Sequence, residues 1–149
     1  MEMKKSIGLT VALMVSILLT PGAAVADARS ASTWINPDQV LATSNKGTGD
    51  ARVTSVGTVQ VRFGRHSNGR VYGWGRALNS GNRFLVFEVD TNGDRRFDLS
   101  SEEHIQSRPN VWTSGFQTSS SSNVAFRACI TPWEGQICEN YPETRTGWW

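Results

Sequence analysis

Asp90, Asn92 and Asp94 fall at every second position, and Asp98 follows four residues on. Hard cations take carboxylate and carbonyl oxygens from a loop wrapped around them. The spacing therefore predicts a calcium site, to which Arg96 would give its backbone carbonyl and Asp98 a further oxygen. The same residues support a second reading. Asn92-Gly93 is a preferred two-residue turn, which would put Thr91 opposite Asp94 and Val89 opposite Arg96 in a plain hairpin tip with solvated carboxylates.

Other chemistry is sparse. His66 and His104 are the only histidines, and neither a Gly-x-Ser-x-Gly elbow nor a His-Glu-x-x-His pair is present. His66 sits beside a turn and His104 follows two glutamates, so both read as solvated side chains. Glu88 is the one acid inside an apolar strand and is the carboxyl to follow first. Six tryptophans in a short chain offer flat apolar faces for a sugar or a peptide. Tyr72, Trp74 and Trp112 are the candidate ligand surface, with core packing as the competing role. Trp148 and Trp149 are expected to dock back onto the domain, with docking onto a partner as the alternative.

The elements that must position these groups are strands. Val59, Val61 and Phe63 alternate with Gln60 and Arg62, and Asn68-Gly69 predicts a two-residue turn. That turn would set Phe63 opposite Trp74 and Val59 opposite Leu78, with Tyr72 and Trp74 on the apolar face and Gly73 and Gly75 on the other. A groove over the two glycines, or aromatic cover by Phe84 and Val86, would follow. Ser80-Gly81 would close a second hairpin into Phe84–Val89, giving a three-stranded meander. Val124, Phe126, Ala128 and Ile130 alternate again, and a reversal at Trp133-Glu134 would face Cys129 to Cys138. No segment after the N-terminal apolar run has a sustained helical period. The expected fold is all-β, a small antiparallel sandwich or barrel-like meander with one hairpin disulfide.

The N-terminus reads differently. Lys4 and Lys5 precede an apolar run from Ile7 to Leu19 and then Ala24-Val25-Ala26, the order of a secretory signal peptide. Residues 1–26 form that predicted helical leader, cleaved after Ala26 or Ala28. The apolar run falls short of the about 20 residues that span a bilayer, so no stable membrane insertion is expected after cleavage. Residues 27–52 read as a poorly ordered arm, apart from one helical turn at Pro37–Leu41, and residues 53–149 as a single β domain. Removal of the leader takes Glu2, Lys4 and Lys5 and leaves 123 residues with 13 basic and 12 acidic side chains. So small a net charge, without a basic run, argues against a nucleic-acid partner. Two cysteines in an exported chain favour a disulfide.

Val59-Gln60-Val61-Arg62-Phe63, Tyr72-Gly73-Trp74-Gly75-Arg76 and Arg127-Ala128-Cys129 resemble segments of the uncharacterised small secreted β proteins common in high-GC Gram-positive bacteria. The resemblance covers about residues 55–140 and implies no activity. Asp90–Asp98 loosely resembles the calcium loop of EF-hands. It departs from that pattern at Arg95, where the sharp-turning glycine would stand, and at Ser101, where the bidentate glutamate would stand. The reading that follows is a secreted, extracellular, non-enzymatic module that binds a protein or a glycan, or serves structurally, with calcium as its candidate cofactor. The alternative is a small secreted hydrolase or hydrolase inhibitor working in the groove over Gly73 and Gly75.

Overall fold

The computed structural model describes residues 33–149, so the predicted leader lies outside the described residues. In chain order the elements are β1 (Trp34–Ile35), α1 (Pro37–Leu41), β2 (Ser44–Thr54), β3 (Gly57–Arg65) and β4 (Val71–Leu78). Then come β5 (Phe84–Asp90), β6 (Leu99–His104), β7 (Asn110–Trp112), β8 (Gly115–Gln117), β9 (Ala125–Thr131) and a 3-10 turn at Cys138–Asn140. One antiparallel sheet runs β1-β8-β4-β3-β2, with β7 also paired to β4, and the second runs β6-β5-β9. The two sheets close on Val59, Val61 and Ala77 from one side and Leu85, Phe87, Val89, Phe126, Ala128 and Ile130 from the other. The fold is an all-β antiparallel sandwich, and burying each large apolar side chain in it contributes about 1.5–3 kcal/mol. No helix among the described residues is long and apolar enough to cross a membrane.

The β3–β4 register differs by one residue from the expected one. Phe63 faces Gly73, Arg62 faces Trp74 and Val59 faces Ala77. The cause is a wider turn. His66 N–H donates to the Arg70 carbonyl, Gly69 N–H donates to the His66 carbonyl, and only Gly69, at φ 83°, takes the left-handed conformation. A one-residue slip sends every side chain to the other face. Gly73 and Gly75 therefore face the core, and Tyr72 and Trp74 face outward. A Cβ on Gly73 would lie 2.8 Å from the Phe126 ring, and one on Gly75 would lie 3.2 Å from the Phe87 Cβ. Aromatic cover over glycine is what forms, from Phe126 and Phe87 rather than Phe84 and Val86. No groove is left there for the hydrolase reading.

Two further expectations are corrected. Ser80-Gly81 does not turn β4 into a hairpin partner: the chain crosses to the other sheet, where β5 pairs with β6 and β9. Asn79 (φ 52°) and Gly81 (φ 65°) make the bend, tied down by Asn79 N–H on the Pro109 carbonyl and Ser107 N–H on the Gly81 carbonyl. Leu85, Phe87 and Val89 still reach the common core, but from the opposite side. The segment read as a poorly ordered arm contains most of β2, an 11-residue edge strand paired along β3. Its polar composition concealed it, because an edge strand is held by backbone bonds and shows most of its side chains to water. Gly47 and Gly49 lie under the rings of Phe63 and Trp149, each 2.3 Å from where a Cβ would stand. The helical turn at Pro37–Leu41 forms as expected, closed by a capping box between Asn36 and Gln39.

The end of the chain seals the sandwich. Phe126 and Trp149 exchange both backbone hydrogen bonds, Thr146 N–H donates to the Ala128 carbonyl, and Gly147 N–H reaches the Asp50 carboxylate at 2.7 Å. Residues 144–149 thus extend the smaller sheet beyond β9 as an irregular strand. The Trp149 ring stacks on Phe63 at 5.2 Å and lies 6.0 Å from Phe126.

The disulfide joins Cys129 to Cys138 with their Cα atoms 5.5 Å apart. Cys138 lies in the 3-10 turn rather than in a strand facing Cys129. The bond thus clamps a loop over the outer face of the smaller sheet, where Val86 packs against it.

Candidate functional site

The segment from the end of β5 to β6 carries the five predicted ligand residues, and the side-chain oxygens of Asp90, Asn92, Asp94 and Asp98 each accept a bond from within it. Asp90 is fully buried and accepts N–H bonds from Asn92, Gly93 and Arg95 at 3.0, 2.7 and 2.9 Å. The Arg95 guanidinium adds an ion pair at 2.9 Å. Burial alone would raise the Asp90 carboxyl pKa; the N–H donors of Gly93 and Arg95, then the guanidinium, then Asn92 N–H, hold it below its ordinary range. Asn92 Oδ1 accepts Asp94 N–H, Asp94 Oδ1 accepts Arg96 N–H, and Asp98 Oδ2 accepts the backbone and hydroxyl of Thr91. Arg95, at φ 63°, takes the place of the EF-hand glycine and pairs its guanidinium with the Asp90 carboxylate. Among the described residues no three His, Cys, Asp or Glu side chains gather as a metal would need. In the structure the set Asp90, Asn92, Asp94, Arg96 and Asp98 forms a loop held by its own hydrogen bonds. The two-residue hairpin tip is corrected, since the β5–β6 ladder stops at Val89 and Leu99.

Glu88 is paired rather than poised. Arg127 donates to its Oε2 through Nε at 2.8 Å and Nη2 at 2.6 Å, and Cys138 N–H donates to Oε1 at 2.7 Å. Trp148 covers the guanidinium at 4.4 Å. His66 packs edge-on to Tyr72, and His104 stacks on Phe84 with its Nε2 2.8 Å from the Asn82 amide oxygen. The histidines lie by different sheets and assemble no catalytic set with Glu88.

The outward face of the larger sheet holds what the slipped register created. Two neighbouring rungs cross it, one through Thr48, Arg62 and Trp74 and the next through Gln60, Arg76 and Trp112. Helix α1 lies against them: Val40 packs with Tyr72, Trp74 and Trp112, and the Trp112 indole N–H donates to the Pro37 carbonyl at 3.1 Å. Between them is an open pocket of about 180 Å³, walled by Val40, Leu41, Trp74 and Trp112 and rimmed by Lys46, Arg62, Arg76 and Asn110.

The predicted surface residues thus divide. Trp74 and Trp112 meet at this pocket, while Tyr72 is wholly buried beneath the same face with its hydroxyl accepting from Asn68.

The rim is cationic and uncompensated. Among the described residues no carboxylate pairs with Lys46, Arg62 or Arg76. Arg62 donates to the Thr48 hydroxyl, Arg76 Nε to Asn110 Oδ1 at 2.7 Å and Lys46 to the Leu41 carbonyl at 2.6 Å, which leaves most guanidinium N–H groups open. Burial first, and then the like charge of Arg62, push the Arg76 guanidinium below its ordinary range. The Gln60 amide oxygen, in the same rung as Arg76, is a buried side-chain atom without a partner among the described residues. Such a site can hold an anion with an apolar face. Its lining has no histidine, carboxylate, cysteine or serine to act as base or nucleophile.

Arg62, Arg76, Lys46 and Asn110 were not among the residues expected from sequence, although Tyr72-x-Trp74-x-Arg76 places three side chains on one strand face. A second groove lies outside the smaller sheet, lined by Arg96, Phe97, Arg127, Ile137 and Glu139, but its Arg127 is already spent on Glu88 and Glu139. Comparison with protein-family models, curated proteins and solved structures gives no match to this chain.

Proposed function

We propose that this chain is an exported, non-enzymatic β-sandwich module that binds an extracellular ligand on the outer face of its larger sheet. The pocket between Trp74 and Trp112, with three cations that no carboxylate answers among the described residues, is the observation that carries this reading. Export is supported by the leader-like N-terminus and by a disulfide in a chain with no other cysteine. A binding role is favoured over hydrolysis because Glu88 and Asp90 are paired within the fold and the pocket lining holds no histidine, carboxylate, cysteine or serine.

Retention of extracellular glycans and proteins on the immobilised exported protein tests the reading, with a Trp112→Ala variant beside it. Capture that falls in the variant is expected. Capture unaffected by Trp112→Ala, or turnover in a broad hydrolase screen, contradicts it.

A further inference from the structure

Resting on that binding-module reading, we infer that the pocket recognises the carboxylate of a single acidic sugar unit, a uronate within or at the end of an anionic glycan.

Size comes first. Pockets that enclose small molecules usually measure about 300–1,000 Å³, and this one holds about 180 Å³. It accommodates one ring of a longer chain, not an enclosed cofactor. Charge comes next. Arg62 and Arg76 stand in adjacent rungs of neighbouring strands, each with one side-chain bond in place and the rest of its N–H fork free. A planar carboxylate accepts such a fork in paired hydrogen bonds, which a point charge cannot reproduce. Bringing a monoanion between the two guanidinium groups also relieves their mutual repulsion.

The walls limit the choice further. Half of the pocket's lining is apolar (Val40, Leu41, Trp74 and Trp112), which disfavours a bare inorganic anion or a doubly charged phosphate because each would lose hydration against carbon. A pyranose presents a face of C–H groups to such a wall and hydroxyls at its rim. The Asn110 amide is the rim group suited to a hydroxyl: its oxygen already takes Arg76 Nε, and its NH2 remains to donate. A peptide C-terminus brings the carboxylate without the hydroxyls, so it is the competitor to be measured.

The test is a calorimetric or tryptophan-fluorescence titration of the exported protein with oligogalacturonate, its methyl ester, and a short peptide with a free C-terminus. Saturable binding of the acid is expected, with the ester weaker by about tenfold or more, the peptide weaker than the acid, and affinity falling as salt is raised. Arg76→Gln should weaken the acid by about tenfold and Arg76→Lys by less, because lysine keeps the charge but loses the fork. Unchanged melting temperatures establish that both variants are folded, and Arg62→Gln gives an independent arm if either is not. Equal binding of ester and acid, or no loss in the arginine variants, overturns the acidic ligand while leaving the binding face intact. Tighter binding of the peptide overturns the sugar. No binding of any of the three overturns this inference alone, since the module reading stands or falls on Trp112-dependent capture.

Discussion

At Asp90, three backbone N–H groups and one guanidinium converge on a single buried carboxylate, and they favour its ionised form. A hydrogen bond to a charged acceptor contributes a net of about 1.5–3 kcal/mol, and asparagine keeps one acceptor oxygen, so Asp90→Asn should cost about 2 kcal/mol in a denaturant melt. The folded pKa lies below that of the unfolded chain, about 3.9. The stabilisation is therefore complete above that value and is lost as pH falls through the folded pKa. The gap between wild type and Asp90→Asn should be full at neutral pH and close in acid. Calcium should leave both melting curves unmoved; a calcium-dependent rise abolished by Asp90→Asn would restore the cation reading. Glu88 and Arg127 behave differently, as a pair shut away from water on both sides. Arg127→Met leaves a buried carboxylate unpaired and should cost about 3–5 kcal/mol, much of it recovered by adding Glu88→Gln. Simple additivity of the two losses in a double-mutant cycle would show that the pair is not coupled.

The strands themselves were legible because alternation over Val59–Phe63, Phe84–Val89 and Val124–Ile130 is a local property of the chain. So was the helical turn, written in Asn36-Pro37 and Gln39. Register was not legible. It depended on whether the turn after β3 holds two residues or more, and Asn68-Gly69 fits either a two-residue turn or the tail of a longer one. That single residue moved Trp74 from the core to the outer face of the larger sheet and Gly73 in the reverse direction. The crossing at Asn79–Gly81 was hidden for a related reason, since a turn signal does not say which sheet the next strand joins. β2 was hidden because its pairing is made by backbone and its side chains are polar. The site was half legible: aromatic types pointed to Trp74 and Trp112, but Arg62 and Arg76 join them only in the observed register. Gly73→Ala tests that register. A methyl pressed against Phe126 should cost about 1–3 kcal/mol, and Phe126→Leu should relieve part of it. An outward-facing Gly73 would instead tolerate alanine or gain stability from it.

Across the whole molecule, the sandwich divides its duties by face. The inner faces form one apolar core. The outer face of the smaller sheet is covered by the disulfide-clamped loop and the Trp148–Arg127–Glu88 stack, so its charges are satisfied. The outer face of the larger sheet is covered only in part, by α1, and there aromatic walls meet open guanidinium groups. A ligand at that face should be seen first by the two indoles that wall it. The most direct measurement is a 1H–15N spectrum of the exported protein, with the six indole N–H signals assigned, during titration with oligogalacturonate. Saturable shifts at Trp74 and Trp112, with Trp133 and Trp149 still, are the predicted result. Shifts confined to the groove of Phe97 and Ile137, or spread evenly without saturation, would contradict an acidic-sugar site on the larger sheet.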